Sequence, residues 1–407
     1  MSKRTRTIGI LTGGGDVPGL NAAIKAIVYR ADALGIKVLG LRAGWEGITY
    51  LDRARGKDSL QFRNDDPTTW DGGYLLPLDR LNTRTIDRSG GTVLQSTRTN
   101  PASIRVSDLP ASLSARTTGN GPLQGQPDGK VDLTHEVLAN IEFLGLDGLV
   151  VIGGDDTLSY ASRLKREGIP VWGIPKTMDN DVPGTEYCIG FQTAINRASE
   201  YIDRIRSTAG SHRETVIFRL FGRDAGFTAL ETAIATWADR LLIPEVPANI
   251  DRLAELVEGD RHNPSGYSII VMSEGANLGT QVPETGEPDA YGHRKKGNVA
   301  EFLAEELSRR LCKVRFLPVD LTYVLRSGEP DVYDKRMAIF YANLVMSLVD
   351  KNVDGVMAAY RNGTFAYTDI PGKEIPPLRV DPVDYNSQRY RPNFEHITGQ
   401  YCSQAQD

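Results

Sequence analysis

The sequence has few cysteines, no long apolar run and no strong excess of one charge. Its three cysteines are spread over 407 residues, at Cys188, Cys312 and Cys402. This small, odd and widely spaced set argues against a disulfide framework and for a reducing, cytoplasmic location. No apolar stretch reaches the roughly 18 residues that a membrane span needs. The net charge of −5 gives no electrostatic reason to expect nucleic acid or an anionic membrane as a partner.

Further absences narrow the chemistry. No Cys and His residues share zinc-ligand spacing, and neither a Walker A loop nor a GxGxxG fingerprint occurs with its required spacing. The basic N-terminus, residues 1–6, leads directly into an apolar strand, so we expect no signal peptide. Hydrophobic residues make up 40% and charged residues 24% of the chain, as in an ordinary globular protein. Because 407 residues exceed what one core usually serves, two domains are expected.

Two short segments place acidic groups and a lysine directly after apolar runs. GGDDT at 153–157 follows the run 149–152, and PKTMDND at 175–181 follows the run 171–174. Both runs are typical of buried parallel strands, and ligands in open α/β sheets bind at the carboxyl ends of such strands. Carboxylates there can hold Mg²⁺ or accept a proton from a hydroxyl, so the pattern favours phosphoryl transfer.

A third segment, TGGGDVPGLN at 12–21, lies between an apolar strand at 8–11 and a helical run at 22–34. Glycines at this place expose backbone N–H groups, and the dipole of the following helix favours an anion. One glycine-rich turn can be no more than a tight connection. Three such loops in one chain favour a phosphate site.

These motifs, taken in order, resemble the phosphofructokinase family over most of the chain. The segments are TGGGDVPGLNAAIK, GGTVLQSTR, GGDDT, PKTMDND, FGRDAGFTA and IPEV at 243–246. The resemblance implies two Rossmann-like, three-layer α/β/α domains with the active site in the cleft between them. It also implies transfer of a phosphoryl group to the 1-hydroxyl of fructose 6-phosphate. We expect a donor-binding domain at 1–189 plus about 325–375, and a sugar-phosphate domain at 190–324 plus about 376–407.

Helices are expected at about 187–207 and 250–256, among other segments. Two polar segments interrupt the alternation of strands and helices. Segment 99–130 is rich in Pro, Ser, Gly and Gln and is too long for an ordinary loop. It is interpreted as an insertion, either a mobile flap over the donor site or a passive surface excursion. Segment 279–297 is similarly polar, and its basic triplet at 294–296 is more typical of a solvated face than of a binding patch.

The resemblance assigns roles to the acidic residues. Asp179 is the expected base that accepts the proton of the sugar hydroxyl, and Asp181 tunes the base or the metal. Asp155 is the expected Mg²⁺ ligand, with water and donor phosphate oxygens completing an octahedron. Thr177 can donate its hydroxyl to the transferred group or to the acceptor. An aspartate in such a loop is often only a helix N-cap, and this alternative stays open for Asp179 and Asp181.

Donor phosphates are expected to meet backbone amides and guanidinium groups. The amides are those of Gly13, Gly14 and Gly15. The arginines that match family positions are Arg98 and Arg223, whose planar and permanently charged forks suit phosphate oxygens. A single arginine is more often a surface residue, so the motif context carries this assignment.

The resemblance also implies an acceptor site and a homo-oligomer, either a dimer or a tetramer. The acceptor residues are Phe221, Gly222, Glu245, Tyr323 and Arg326. Among them, Glu245 can accept sugar hydroxyls and Arg326 can clamp the 6-phosphate.

One position departs from the family pattern. By its spacing, the arginine that reaches across a subunit boundary in the family falls on Glu214. Arg213 lies one position earlier, but in a strand a shift of one residue points the side chain to the other face. Lys313 or Arg315 can supply the charge instead.

Two side chains bear on the phosphoryl donor. ATP-using members of the family carry glycine at the positions of Asp156 and Lys176, which makes room for the α-phosphate of the nucleotide. A carboxylate at position 156 obstructs and repels that phosphate, whereas an ammonium at position 176 pairs with the terminal oxygens of pyrophosphate. The pair is the pattern of the pyrophosphate-dependent branch, whose step is reversible and usable in glycolysis or gluconeogenesis.

Three alternatives stay open from the sequence. They are an ATP-dependent phosphofructokinase, the same chemistry on an acceptor such as sedoheptulose 7-phosphate, and a non-catalytic sugar-phosphate-binding subunit. The full acidic set argues against the last, since a mere binder does not need it. NAD and diacylglycerol kinases share a GGD-type loop but do not account for PKTMDND or FGRD.

Overall fold

The computed structural model describes residues 5–111, 113, 129–280, 284–285 and 295–396. Its strands are β1 (Thr7–Thr12), β2 (Lys37–Leu41), β3 (Leu75–Leu78), β4 (Ile104–Arg105), β5 (Lys130–Val131), β6 (Leu149–Gly153), β7 (Val171–Pro175), β8 (Thr215–Leu220), β9 (Arg240–Leu242), β10 (Ser268–Ser273), β11 (Glu284–Thr285), β12 (Lys295–Lys296), β13 (Phe316–Asp320), β14 (Val356–Arg361), β15 (Thr364–Asp369), β16 (Tyr385–Asn386) and β17 (Arg391–Pro392). Its helices are α1 (Leu20–Ala33), α2 (Trp45–Thr49), α3 (Thr134–Leu144), α4 (Asp155–Arg166), α5 (Phe191–His212), α6 (Phe227–Thr236), α7 (Ile250–Arg261), α8 (Val299–Arg310), α9 (Thr322–Arg326) and α10 (Val332–Asp350).

The first sheet has the strand order β15-β14-β7-β6-β1-β2-β3. Its inner strands are parallel, while β3 and β15 are antiparallel edge strands. The carboxyl ends of β1, β6 and β7 therefore meet at one edge. The three motif-bearing loops leave the sheet at this edge, as their sequence pattern predicts.

Both faces of the first sheet are covered, which explains the continuous apolar runs. In β6, Val150 and Ile152 belong to one apolar core, whereas Leu149 and Val151 belong to a second core. Helices α1 and α10 pack together on the side of the first core, and α3 and α4 contribute to the second. This alternation has the period of a strand buried on both faces, and it gives the predicted three-layer arrangement.

The second sheet is smaller, with the order β13-β8-β10-β9 and only parallel pairs. Helix α5 packs with α6, and α8 packs against β13 and β8. The prediction of two α/β units is therefore confirmed. After the second sheet the chain returns to the first unit, because α10 contacts α1 and β14 pairs with β7. The residue limits of the two domains stay a prediction.

Several predicted boundaries differ from those observed. The helix expected at 187–207 begins at Phe191 and continues to His212, because Gly190 at its N-terminus and Arg213 at its C-terminus both adopt left-handed backbone conformations. The helix expected at 250–256 continues to Arg261. Within the polar insertion, β4 pairs with β5 and Ile104 is buried.

Residues 112 and 114–128 of that insertion, and the side chains of the basic triplet at 294–296, lie outside the described residues, so the flap and the solvated face stay predictions. None of the helices in the described part of the chain has the length and apolar character needed to cross a bilayer.

Candidate active site

Residues from both sheets line one cleft at the carboxyl ends of their strands. The lining residues are Gly14, Gly15, Asp16, Val17, Arg98, Gly154, Asp155, Asp156, Thr157, Lys176, Thr177, Met178, Asp179, Asp181, Phe221, Arg223, Glu274 and Arg326. Tyr323 lines an adjoining hollow together with Arg98 and Arg326. The cleft thus brings together most of the residues that the sequence singles out, while Gly13, Gly222 and Glu245 are not among its lining residues.

The glycine-rich loop makes close contacts within the protein. The N–H of Gly13 donates to the carbonyl of Ile152 at 3.0 Å, and the N–H of Gly14 donates to the carbonyl of Thr97 at 2.9 Å. A Cβ atom at Gly13 would lie 2.6 Å from Thr157 Cγ2, so close packing accounts for glycine there. Both amides donate within the protein in this structure, and their contact with a donor phosphate stays a prediction. A part of Gly14 and Gly15 in donor binding stays a prediction that rests on their place in the cleft.

The loop after β7 is held in a fixed turn by its central asparagine. Asn180 has a left-handed backbone with φ of 53°, which asparagine tolerates better than most residues. Its side chain accepts the N–H of Cys188 at 2.8 Å and donates to the carbonyl of Glu186 at 3.0 Å. The next helix begins only at Phe191. Asp179 and Asp181 therefore do not cap the N-terminus of this helix, which removes the N-cap interpretation of both residues.

The carboxylates of the cleft repel one another. Burial, followed by the negative charge of Glu274, raises the pKa of Asp179 to about 7. Burial, followed by the charges of Asp179 and Asp155, raises the pKa of Asp181 well above its ordinary value. Asp179 Oδ2 also accepts the backbone N–H of Arg223 at 3.3 Å. A group of this kind takes up protons or cations readily.

A cationic side chain lines the same cleft as these carboxylates. Lys176 is buried, and its Nζ donates to the carbonyl of Gly15 at 2.6 Å. Burial, followed by the positive charges of Arg326 and Arg98, lowers the pKa of Lys176 to about 8. These three cations lie near one another, which favours an anionic ligand between them.

Arg326 is oriented by aromatic and acidic neighbours. Its guanidinium lies over the ring of Phe221 at 4.6 Å and over that of Tyr323 at 5.5 Å. Its Nη1 is 3.7 Å from Asp16 Oδ1. Its Nε is buried and has no hydrogen-bond partner among the described residues. A buried donor of this kind fits an anion such as a sugar phosphate.

Thr177 is positioned by the backbone of the same loop. Its Oγ1 accepts the N–H of Asp179 at 3.1 Å, so the hydrogen of the hydroxyl stays available to donate. Thr177 N–H donates to the carbonyl of Ile189 at 3.2 Å, which ties the two ends of the loop together. The hydroxyl can therefore act as a fixed donor to a ligand.

The structure adds two acidic residues that the sequence analysis did not single out. Asp16 and Glu274 both line the cleft. Glu274 directly follows β10, which ends at Ser273, so it carries the same signal as the GGDDT motif. Asp16 follows the three glycines after β1. An acidic residue within a few residues of the end of an apolar strand is the sequence signal that could have located both.

Two predicted acceptor residues, Glu245 and Gly222, do not line the cleft and instead make close contacts within the protein. Glu245 Oε1 accepts the N–H groups of Gly226 and Val380, both at 2.9 Å. Gly222 has φ of 119°, and a Cβ atom there would lie 2.5 Å from the carbonyl oxygen of Ala225. Contacts of these two residues with the sugar stay a prediction.

The departure at Glu214 also has a structural account. Glu214 is buried and pairs with Arg315 at 2.8 Å, while the Arg315 side chain is 75% exposed. Arg213 is the left-handed residue that ends α5. Which basic group replaces the cross-subunit arginine stays a prediction.

The acidic side chains fit a magnesium ion that also binds a substrate. In the part of the chain that the structure describes, no three His, Cys, Asp or Glu side chains converge closely enough to hold a metal alone. Mg²⁺ typically binds through one or two carboxylates together with phosphates and water. Asp155, in the first turn of α4, faces this cleft beside carboxylates whose mutual repulsion a cation relieves.

Comparisons with known proteins agree with this arrangement. The family model described as phosphofructokinase matches residues 7–349. A pyrophosphate–fructose 6-phosphate 1-phosphotransferase from Amycolatopsis methanolica is 35% identical over 385 residues, covering 93% of this chain and 98% of the relative. ATP-dependent 6-phosphofructokinase 3 from Streptomyces coelicolor is 34% identical over 359 residues, covering 87% of this chain and 90% of the relative.

A solved structure gives the same result for the fold. The crystal structure of a pyrophosphate-dependent phosphofructokinase from Marinobacter aquaeolei superposes with a TM-score of 0.70 and 16% identity. The match covers 96% of this chain and 89% of that one. At this identity the similarity shows the fold alone.

Proposed function

The chain belongs to the phosphofructokinase family, and from that premise we propose that it phosphorylates the 1-hydroxyl of fructose 6-phosphate with inorganic pyrophosphate. The products are fructose 1,6-bisphosphate and phosphate. The observation that carries this proposal is the presence of Asp156 and Lys176 in the same cleft as Asp155 and Asp179. The first pair selects the donor, and the second pair serves the transfer.

Asp179 is the base in this proposal. Phosphoryl transfer mainly needs positioning and charge neutralisation, but the sugar hydroxyl must lose its proton as the new bond forms. Asp179 lies in the cleft and is fixed by the N–H of Arg223. Its raised pKa makes it a better proton acceptor than an ordinary carboxylate. Thr177 and Arg223 stabilise the charge that develops on the transferred group.

Asp155 is the proposed ligand of Mg²⁺. When bound, the ion neutralises charge on the phosphate oxygens of the donor. The protein contributes a carboxylate held in the first turn of α4, and the remaining ligands are water and donor oxygens. Asp181 is buried close to the base. In this proposal its charge tunes the base and the metal site.

Lys176 and Asp156 support pyrophosphate as the donor. Lys176 is buried with its ammonium at the glycine-rich loop, where it can pair with terminal oxygens that a nucleotide ester lacks. Asp156 lines the same cleft, where its carboxylate repels an α-phosphate that carries a nucleoside. With pyrophosphate, the step is reversible and can serve glycolysis or gluconeogenesis.

We further propose a homo-oligomer, either a dimer or a tetramer, in the cytoplasm. The exposed Arg315 beside buried Glu214 is a candidate for the charge that the family supplies across a subunit boundary. The few, widely spaced cysteines suit a reducing compartment. Analytical ultracentrifugation of the full chain decides between dimer and tetramer.

The reaction itself is tested by product analysis. The chain is incubated with Mg²⁺, pyrophosphate and either fructose 6-phosphate or sedoheptulose 7-phosphate, and the products are followed by ³¹P NMR. The proposal predicts a new phosphate monoester on C1 of fructose 6-phosphate, with release of one phosphate per turnover. Phosphorylation of the seven-carbon sugar alone favours the alternative acceptor. Binding of sugar phosphate without any product favours the non-catalytic subunit.

The low pKa of Lys176 predicts a pH dependence of donor use. Below about pH 8 the ammonium is charged and pairs with pyrophosphate. Above that pH it loses its proton and the pairing. We expect kcat/KM for pyrophosphate to fall about tenfold per pH unit on this side. Lys176→Met is the control, because the ionisation of pyrophosphate is common to both proteins and the difference between their profiles reports Lys176. Identical profiles contradict the role.

A further inference from the structure

One arginine joins the strands of the second sheet that lead to the acceptor side of the cleft. Arg219 lies near the end of β8, in register with Asp320 of β13 and Met272 of β10. Its side chain is only 16% exposed, and the three residues before it in the strand are apolar and buried. A charged side chain at such a position is costly unless it is paired, so its partners bear on its role.

The guanidinium of Arg219 bridges two carboxylates, one at the end of β13 and one directly after β10. Its Nη1 lies 2.7 Å from Asp320 Oδ2, and its Nη2 lies 3.4 Å from Glu274 Oε2. Glu274 lines the cleft. Without the arginine, both carboxylates lose the counter-charge that they share, and the carboxylate of Glu274 loses the contact that orients it.

The second carboxylate starts the short helix α9. Asp320 Oδ1 accepts the N–H of Thr322 at 2.9 Å and its hydroxyl at 2.7 Å. The N–H of Leu321 donates to the carbonyl of Arg219 at 3.0 Å. Helix α9 ends at Arg326, the cleft arginine with a buried Nε. The position of Arg219 is therefore linked to that of Arg326 through the first turn of α9.

We propose that Arg219 is a positioning residue for the acceptor sugar phosphate, which holds the Glu274 carboxylate and the helix carrying Arg326 in a fixed relation. Arg219 is not itself among the residues that line the cleft and acts through those two groups. Packing of the sheet does not account for it, because buried ion pairs can be replaced by apolar residues at little cost. This inference rests on the proposed function for the identity of the acceptor.

Steady-state kinetics of two variants test the proposal. Arg219→Gln is expected to raise KM for fructose 6-phosphate about tenfold or more, because small misplacements of a site cost up to about 10²-fold. KM for pyrophosphate is expected to change less than about twofold, because the donor side is untouched. Arg219→Lys keeps the charge but not the planar fork. Its KM for fructose 6-phosphate is therefore expected to lie between that of the wild type and that of Arg219→Gln.

A matched control and a readout independent of activity sharpen the test. Arg310 also bridges two carboxylates, Glu306 at 2.7 Å and Asp251 at 2.6 Å, but on the outer surface, so Arg310→Gln is expected to leave both KM values unchanged. Hydrogen–deuterium exchange at residues 320–327 is expected to become faster in Arg219→Gln, with exchange at 153–157 unchanged. Unchanged KM for fructose 6-phosphate, or an equal rise in both KM values, overturns the proposal.

Failure of this inference is distinguishable from failure of the proposed function. If the wild-type chain does not phosphorylate fructose 6-phosphate with pyrophosphate, the proposed function fails. Exchange at 320–327 and calorimetric binding of fructose 6-phosphate to the wild type and to Arg219→Gln then still decide the role of Arg219. Weaker binding with faster exchange supports it, and equal binding with equal exchange overturns it.

Discussion

Replacing Asp179 by alanine is expected to lower turnover severely while leaving the binding of both substrates within about tenfold. The reason is that a base acts mainly in the transition state, when the sugar hydroxyl loses its proton. General bases typically contribute about 10²- to 10⁴-fold to the rate, so kcat is expected to fall by that range. The fall is measured by single-turnover kinetics, and binding by calorimetry with each substrate alone.

Two companion variants separate the proton transfer from other effects at the same place. Asp179→Asn keeps the shape of the side chain and removes the basic oxygen, so its loss of kcat is expected to match that of Asp179→Ala. Asp181→Asn removes a neighbouring charge but leaves the base, so its loss is expected to be smaller. Near-normal kcat in Asp179→Asn removes Asp179 from its role.

The raised pKa of Asp179 gives a second sign of the same role. The carboxylate acts as a base only when ionised, which in the free enzyme requires a pH above about 7. We therefore expect kcat/KM to fall as the pH drops below about 7. An ordinary aspartate would give this fall only below a pH of about 4. A bound Mg²⁺ ion lowers the pKa of a neighbouring carboxylate. The acid limb of the profile is therefore expected to move to lower pH as the metal concentration rises.

The second large effect concerns the donor. Changing both Asp156 and Lys176 to glycine is expected to lower kcat/KM for pyrophosphate by about 30- to 5 × 10³-fold, the range that follows from removing one partner of a buried charge pair. Lys176 is the larger contributor, because it is buried at the glycine-rich loop with its Nζ 2.6 Å from the carbonyl of Gly15. The same change removes the obstruction, so turnover with ATP is expected to rise from a trace to a measurable rate.

The two single variants separate the attraction of pyrophosphate by Lys176 from the obstruction of ATP by Asp156. Lys176→Gly is expected to weaken pyrophosphate use without admitting ATP, whereas Asp156→Gly is expected to admit some ATP while keeping most pyrophosphate activity. KM for fructose 6-phosphate serves as the control and is expected to stay within about threefold, because both side chains lie on the donor side. Unaltered pyrophosphate kinetics in the double variant contradict the selection argument.

Much of this arrangement follows from local patterns in the sequence. Apolar runs at 149–152 and 171–174 are strands at the places expected, because strands buried on both faces leave a continuous apolar signal. The acidic loops after them converge because parallel strands end at one edge. Helix limits were less predictable, since left-handed residues such as Gly190 and Arg213 set them and the apolar pattern does not reveal such conformations.

The parts that sequence patterns could not give depend on contacts between distant segments. Glu274 carries the same strand-end signal as Asp155, but its place beside Asp179 follows from the approach of the two sheets. Glu245 lies in a family motif, yet its carboxylate is engaged by the N–H groups of Gly226 and Val380. Such partners come from separate loops, so neither periodicity nor motif spacing predicts them.

The most direct test of the proposed function is a comparison of donors. Initial rates are measured with fructose 6-phosphate and Mg²⁺, with either pyrophosphate or ATP as the only donor. Rapid turnover on pyrophosphate with at most a trace on ATP is the predicted result. It follows from the charge and bulk of Asp156 and Lys176 in the cleft. Turnover on ATP alone contradicts the account, because both side chains then fail to select the donor.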